Sequence, residues 1–298
     1  MRRSARRALG AAAILVIGPA SLALQTDTPG FISSYDWRMS APLFGGFSAI
    51  EVAEDGESFV ALTDRGAVAE GRFIRDVAGR IDTIVAGPPM PLKGVFSDEL
   101  PIADRDTEGL AIGADGSVFV AFEGIARLQS YKPLLANAVI LPIPTAFPNM
   151  LRNTSLEALA IAPDGTLYAV PEVTDGEDGI RPVYRFRSGA WDAPFGLTVG
   201  DGFRPVGADI GPDGRFYLLE REFHGPGGFA SRVRRFDIGG DALTNERTLF
   251  QTPAGRFGNM EGVAVWRAPS GELRMTLITD DNFLPVLGTQ IIEFRVPD

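Results

Sequence analysis

The feature that constrains this chain most is a turn that keeps coming back. Ala-Glu-Asp-Gly ends at Gly56, Gly-Ala-Asp-Gly at Gly116, Ala-Pro-Asp-Gly at Gly165, Gly-Pro-Asp-Gly at Gly214 and, more loosely, Ala-Pro-Ser-Gly at Gly271. Successive glycines lie 60, 49, 49 and 57 residues apart. Periods of that size mark solenoids, propellers and arrays, whose units stack because none can bury its apolar faces alone. The stretch from Asp106 to Gly124 shows what one unit is. Two apolar runs, Leu110 to Ile112 and Val118 to Phe122, are too short for helices and rich in β-formers. Between them Asp115-Gly116 reads as a tight hairpin turn, with positive φ that Gly adopts freely and Asp tolerates. Antiparallel pairing then predicts Glu108 and Glu123 as neighbours at the hairpin's open end.

Each unit carries about four strands. The first takes Phe47 to Val52, Ser58 to Thr63, Val68 to Arg75 and Arg80 to Val85; the second adds Ala126 to Tyr131 and Ala138 to Leu141 to the hairpin above. The third starts at Glu157 to Ile161, the fourth at Val206 to Ile210, and the fifth at Glu261 to Trp266. The fifth lacks an outer strand, and Phe31 to Met39, an apolar-aromatic stretch without its own turn, is expected to supply it and fasten the circle. Strands such as Val118 to Phe122 and Met275 to Ile278 are apolar on both parities, as when both sheet faces are buried. The expected fold is therefore all-β: a single β-propeller of five blades, or six if an irregular blade lies between Val85 and Asp104.

Met1 to Ala23 has the layout of a secretory signal, with four arginines, an apolar run from Ala8 to Ile17 and a Ser21-Leu22-Ala23 cleavage site, leaving 24–298 as the mature domain. A periplasmic or secreted location follows. The net charge is -10; the 28 basic residues less those four arginines leave 24 against 38 acidic, or -14. Such a surface repels phosphate backbones and anionic headgroups, so neither nucleic acid nor membrane is an expected partner, and a monomer is expected. The chain has no Cys, which excludes disulfides and thiolate sites, and one His, His224, which excludes sites of several imidazoles. His224 lies in a glycine-rich loop and reads first as a solvated residue, with a general acid or base as the alternative. Gly46-Phe-Ser-Ala-Ile lacks the last Gly of a nucleophile elbow.

Blade after blade ends in polar residues at the hairpin's open end. Before the turn stand Ser48, Glu108, Glu157 and Glu261; after it come Asp64, Glu123, Glu172, Glu220 and Asp280-Asp281. Hairpins oriented alike around one axis gather these ends on one face, and the carboxylates repel one another unless protonated or bridged by a cation. Oxygen ligands suit Ca²⁺, which takes about six to eight of them. The candidate ligands are Glu108, Glu123, Glu157, Glu172, Glu220, Glu261, Asp280 and Asp281, with Asn153 and Asn282 as further carbonyl donors. The alternative is structural: the same groups bonded to backbone amides or channel water.

The segments Asp64-Arg65-Gly66, Asp106-Thr-Glu-Gly-Leu-Ala, Asn153 to Ala160, Leu218-Leu-Glu-Arg-Glu-Phe, Asn259-Met-Glu-Gly-Val-Ala and Thr279-Asp-Asp-Asn-Phe resemble the secreted bacterial family described as esterase-like activity of phytase. The resemblance implies a propeller related to alkaline phytases, in which carboxylate-held calcium binds substrate phosphate and activates water. Carried over, it makes Glu108 and Glu157 catalytic, Glu108, Glu157, Glu261, Asp280 and Asp281 ligands, and Arg65 and Arg221 phosphate clamps. Two units depart from the pattern: the fourth reads Val206-Gly207-Ala208-Asp209 without the Glu, and the third has Glu157-Ala158 in place of Glu-Gly. The expected activity is Ca²⁺-dependent hydrolysis of a phosphate ester or related small ester. A Ca²⁺-dependent lactonase and a non-catalytic binding propeller are the alternatives.

Overall fold

The computed structural model describes residues 28–96, 99–150, 155–173, 179–284 and 287–297. The expected signal segment and Asn153 lie outside them. Strand β1 (Phe31–Trp37) precedes the first blade, which comprises β2 (Phe47–Val52), β3 (Ser58–Thr63), β4 (Ala67–Arg75) and β5 (Ile81–Ala86), with the short β6 (Met90–Pro91) on β4. Blade two is β7 (Thr107–Ile112), β8 (Val118–Phe122), β9 (Arg127–Tyr131) and β10 (Val139–Ile140); blade three is β11 (Leu156–Ile161), β12 (Leu167–Pro171), β13 (Ile180–Arg187) and β14 (Ala190–Thr198). Blade four is β15 (Arg204–Ile210), β16 (Arg215–Phe223), β17 (Phe229–Gly239) and β18 (Ala242–Gln251). Blade five runs β19 (Asn259–Arg267), β20 (Leu273–Asp280) and β21 (Thr289–Arg295), and its fourth strand is β1, antiparallel to β21.

The inner strands β2, β7, β11, β15 and β19 each neighbour the next, and β19 neighbours β2, so the ring closes at five blades. Among the described residues the stretch from Val85 to Asp104 adds only β6 and a single 3-10 turn, Ile102–Asp104, and no sixth blade. Apolar layers fill the gaps between blades. At the seam between the first and last, Trp37 stacks on Phe47 at 4.9 Å and Phe59 on Phe73 at 4.5 Å, packed with Ile278 and Ile291. The Arg75 guanidinium crosses the same seam, donating to both oxygens of the buried Glu293 at 2.8 Å and to Gly56 O.

The recurrent turn works differently from the tight hairpin expected. In blade two Ile112 pairs with Val118, leaving a five-residue loop in which Gly116 has φ +77° and Asp115 is not in the positive region. Asp115 is there as an acceptor: Oδ1 takes the Ser117 N–H at 3.0 Å and Oδ2 the Ser117 hydroxyl at 2.9 Å. Asp55, Asp164 and Asp213 cap the N–H groups of Glu57, Thr166 and Arg215 in the same way. The pair thus divides the work, with the carboxylate holding the loop shut and the glycine turning it.

Closing a ring with only five blades crowds its axis. A Cβ built on Gly109 would stand 2.7 Å from Leu159 Cβ, one on Gly207 2.5 Å from Glu261 O, and one on Gly262 2.7 Å from Ala49 Cα. The matched positions of the other two blades are Ala49 and Ala158, both buried. Gly207→Ala is therefore expected to lower the free energy of unfolding by about 1–3 kcal/mol through overpacking, whereas Ala158→Gly should cost about 0.5–1 kcal/mol from chain entropy. Denaturant titration reads both, and an unchanged midpoint for Gly207→Ala would mean the inner strands have room to spare.

Candidate metal centre at the channel mouth

The inner hairpins share a defect that builds the site. Each slips register at the same place: between Phe47 and Ala49, Thr107 and Gly109, Leu156 and Ala158, Pro205 and Gly207, and Met260 and Gly262. The bulge leaves one residue per blade unpaired, namely Ser48, Glu108, Glu157, Val206 and Glu261. A bulge bends its strand and re-aims a side chain, and here four of the five face a common chamber. A second tier comes from the returning strand, one residue past the pair that flanks each bulge on its open side: Asp64, Glu123, Glu172, Arg221 and Asp280. The chamber has a volume of about 180 Å³, and seven carboxyl side chains line it beside Arg221, Ser48 and Asn282.

Crowding of like charges and loss of water set the electrostatics. Burial first, then the neighbouring acids, pushes the Glu108 and Glu157 carboxyls well above their ordinary range. Asp64 is raised to about 7 by burial and by Asp280, with Arg65 opposing. Burial raises Glu123 to about 7 against the hydrogen bond it shares with Glu157. Glu261 rises to about 8, again through burial, with Arg221 opposing. Asp106 and Asp280 rise for the same first reason.

Two observations say that this oxygen set fits a cation. Carboxylate oxygens of Asp106, Glu108 and Glu123 all lie within 4.8 Å of one another. Glu261 Oε2 and Asp64 Oδ1 are buried with no hydrogen-bond partner, which costs free energy that an ion would recover. The donors are all oxygen, as hard divalent cations prefer.

Of the residues expected from sequence, the fold brings Glu108, Glu123, Glu157, Glu172, Glu261, Asp280 and Arg221 together, with Asn282 at the edge. It does not bring Glu220, whose register partner is Pro205, one residue short of the chamber position that Arg221 takes. A one-residue offset flips a side chain to the other face. Glu220 accordingly lies fully buried between strands, accepting from Arg234 Nε and Nη2 at 2.7 Å and from Arg232 Nε at 2.8 Å. Asp281 lies one residue beyond its tier, and Oδ1 accepts from the Gly46 and Phe283 N–H groups at 3.0 Å, shaping the loop. Arg65 is exposed and stacks on Phe283, 3.2 Å from the ring centroid, outside the chamber wall. His224 sits on its loop with Nε2 2.9 Å from Glu222 Oε2.

Asp64 and Asp106 join the site although neither is among the expected ligands. The signal for Asp106 was its spacing, two residues before Glu108 at the head of the inner strand. The missing Glu of blade four is accounted for too: Val206 holds the bulge position and packs into the apolar layer. Asp209, three residues on, instead accepts the Val265 N–H of blade five at 2.5 Å.

A family model described as phytase-like, esterase-like activity of phytase, matches residues 42–283. No curated protein matches the chain. Among solved structures, an exo-β-1,3-galactanase from Clostridium thermocellum is similar over 86% of this chain and 59% of its own, at 12% identity and a TM-score of 0.54. A protein of unknown function from Dyadobacter fermentans is similar over 90% of this chain and 84% of its own, at 12% identity and a TM-score of 0.50. At such identities the likeness is one of fold.

Because protonation of the raised carboxyls favours the folded state, the metal-free protein binds more protons folded than unfolded. The stability they contribute is fully present below about pH 4, their unfolded range, and is lost as pH rises through about 7 to 8. In excess chelator the melting temperature is expected to fall across that window, and Glu108→Gln should make the fall shallower. A melting temperature that climbs from pH 5 to pH 8 would contradict the assignment.

Proposed function

The chain belongs to the phytase-like family, esterase-like activity of phytase, and on that premise we propose that the chamber is the Ca²⁺-dependent hydrolytic centre of an exported enzyme acting on small esters, phosphate monoesters first among them. What carries the reading is the pair of buried carboxylate oxygens without partners, Glu261 Oε2 and Asp64 Oδ1, on a wall that already groups Asp106, Glu108 and Glu123 within 4.8 Å.

Asp106, Glu108 and Glu123 would hold the ion, and Asp64 Oδ1 and Glu261 Oε2 would be available to complete its oxygen shell. Bound there, Ca²⁺ supplies the positive charge that stabilises the oxyanion developing on an ester. Glu157, against Glu123, accepts the proton of the attacking water on a carboxylate oxygen, and burial, which raises its carboxyl, makes it a stronger base than an exposed carboxylate. Arg221 is fixed by Asn259 Oδ1 at 2.9 Å and by Glu261, and so keeps one edge of the chamber rigid. The volume of about 180 Å³ restricts the substrate to a small group or one end of a larger molecule.

Calorimetric Ca²⁺ titration of chelator-stripped protein, run beside turnover of 4-nitrophenyl phosphate and short acyl esters, tests this reading. Saturable binding is expected, with turnover lost on chelation. Glu108→Gln should weaken calcium binding by about tenfold or more, as expected for a lost charged ligand. Glu157→Gln should retain calcium and lose on the order of 10²-fold in kcat. No binding up to millimolar calcium would overturn the proposal.

A further inference from the structure

Blade four breaks the chamber's pattern in a particular way. Arg204 pairs with Arg221 across its inner hairpin, just as Asn259 pairs with Asp280 in blade five, and as Asp106 O accepts from Glu123 N in blade two. The places that blade two fills with Asp106, Glu108 and Glu123 are therefore filled in blade four by Arg204, Val206 and Arg221. One sector of the chamber gathers three carboxylates. The sector two blades away offers two guanidiniums around an apolar residue.

Both guanidiniums converge on one atom. Arg204 Nη1 stands 3.5 Å and Arg221 Nη2 3.6 Å from Glu172 Oε1. These are ion-pair distances, longer than the roughly 2.7–3.2 Å of a good N–H···O bond. Arg221 Nη1, by contrast, is committed to Asn259 and Glu261. Glu172 is buried, while the Arg204 side chain is 52% exposed at the lip. A single carboxylate thus sits loosely between the Arg204 fork, suited in shape to a bidentate oxyanion, and the remaining Nη2 of Arg221.

We infer that Arg204 and Arg221 form an anion subsite on blade four, which Glu172 occupies until the anionic group of a substrate displaces it. The inference rests on the hydrolytic reading above and narrows its substrate class. The ester carries a second, separate oxyanion, such as a carboxylate or sulfate, held at blade four while its scissile bond lies toward Asp106, Glu108 and Glu123. An acidic chamber with one cationic wall orients such a molecule, and a neutral ester of the same size lacks the anchor.

The test is a calorimetric titration of chelator-stripped protein with sulfate, which needs neither calcium nor turnover. Glu172→Gln removes the internal competitor and is expected to tighten sulfate binding about tenfold, whereas Arg204→Gln weakens it about tenfold. A purely structural role for Glu172 predicts the opposite sign for its variant. On the enzyme with calcium, kcat/KM for a dicarboxylate monoester relative to its neutral diester should fall about tenfold in Arg204→Gln. Sulfate affinity unchanged or weakened in Glu172→Gln overturns the subsite, as does an unaltered monoester-to-diester ratio in Arg204→Gln, an exposed position that leaves the fold intact. Loss of the hydrolase reading shows separately, as absent calcium binding and turnover in the unmutated protein.

Discussion

Everything at the centre of this molecule depends on how closely five inner strands must approach when five sheets close a ring. The positions facing the neighbouring inner strand are Ala49, Gly109, Ala158, Gly207 and Gly262, and the distances around the three glycines leave no space for a side chain. Directly above each of them the strand bulges, and in four of the five blades the bulged residue faces the channel. The small residue and the acid are thus two halves of one device: backbones packed too tightly for a side chain below, and an unpaired residue pushed towards the axis above. Beneath the acids lies a gap of about 10 Å³, among Gly109, Gly207, Gly262, Ala49 and aliphatic side chains. Glu108 and Glu157 stand on that apolar floor, and burial is the first cause of the rise in their carboxyls.

The period, the blade count and the closing strand were legible from residues that act locally, the turn glycines and the short apolar runs. The acidic ring was legible in outline for the same reason, since any residue at the open end of an inner hairpin lies near the axis. Which acid faces inward was not. Facing depends on a register slip that arises from packing between blades, so Glu220 and Asp281 looked equivalent to Glu123 and Asp280 although each is offset by one residue. Arg65 misled differently: its guanidinium is taken up by the Phe283 ring, a contact between residues more than two hundred positions apart.

The Asp-Gly turns show a related division between local and distant causes. Each turn is held by its own aspartate, so it forms from a few neighbouring residues. The upper chamber is assembled from five blades, and some of its charges meet partners from other blades, as when Arg221 of blade four reaches Glu261 of blade five. Local order supplies the frame, and ring closure supplies the chemistry.

The pairing of β1 with β21 has a consequence for how the molecule comes into being. Phe31 meets Phe294 and Trp37 meets Thr289, so the strand made first waits for the strand made last. At synthesis rates of about 5–20 residues per second, that wait is on the order of tens of seconds. Throughout it β1 is an unpaired edge, and the Glu293 that will receive Arg75 does not yet exist. The ring therefore cannot close before β21 is made, and the acidic chamber, which needs all five inner strands, cannot be complete before β19 and β20 are.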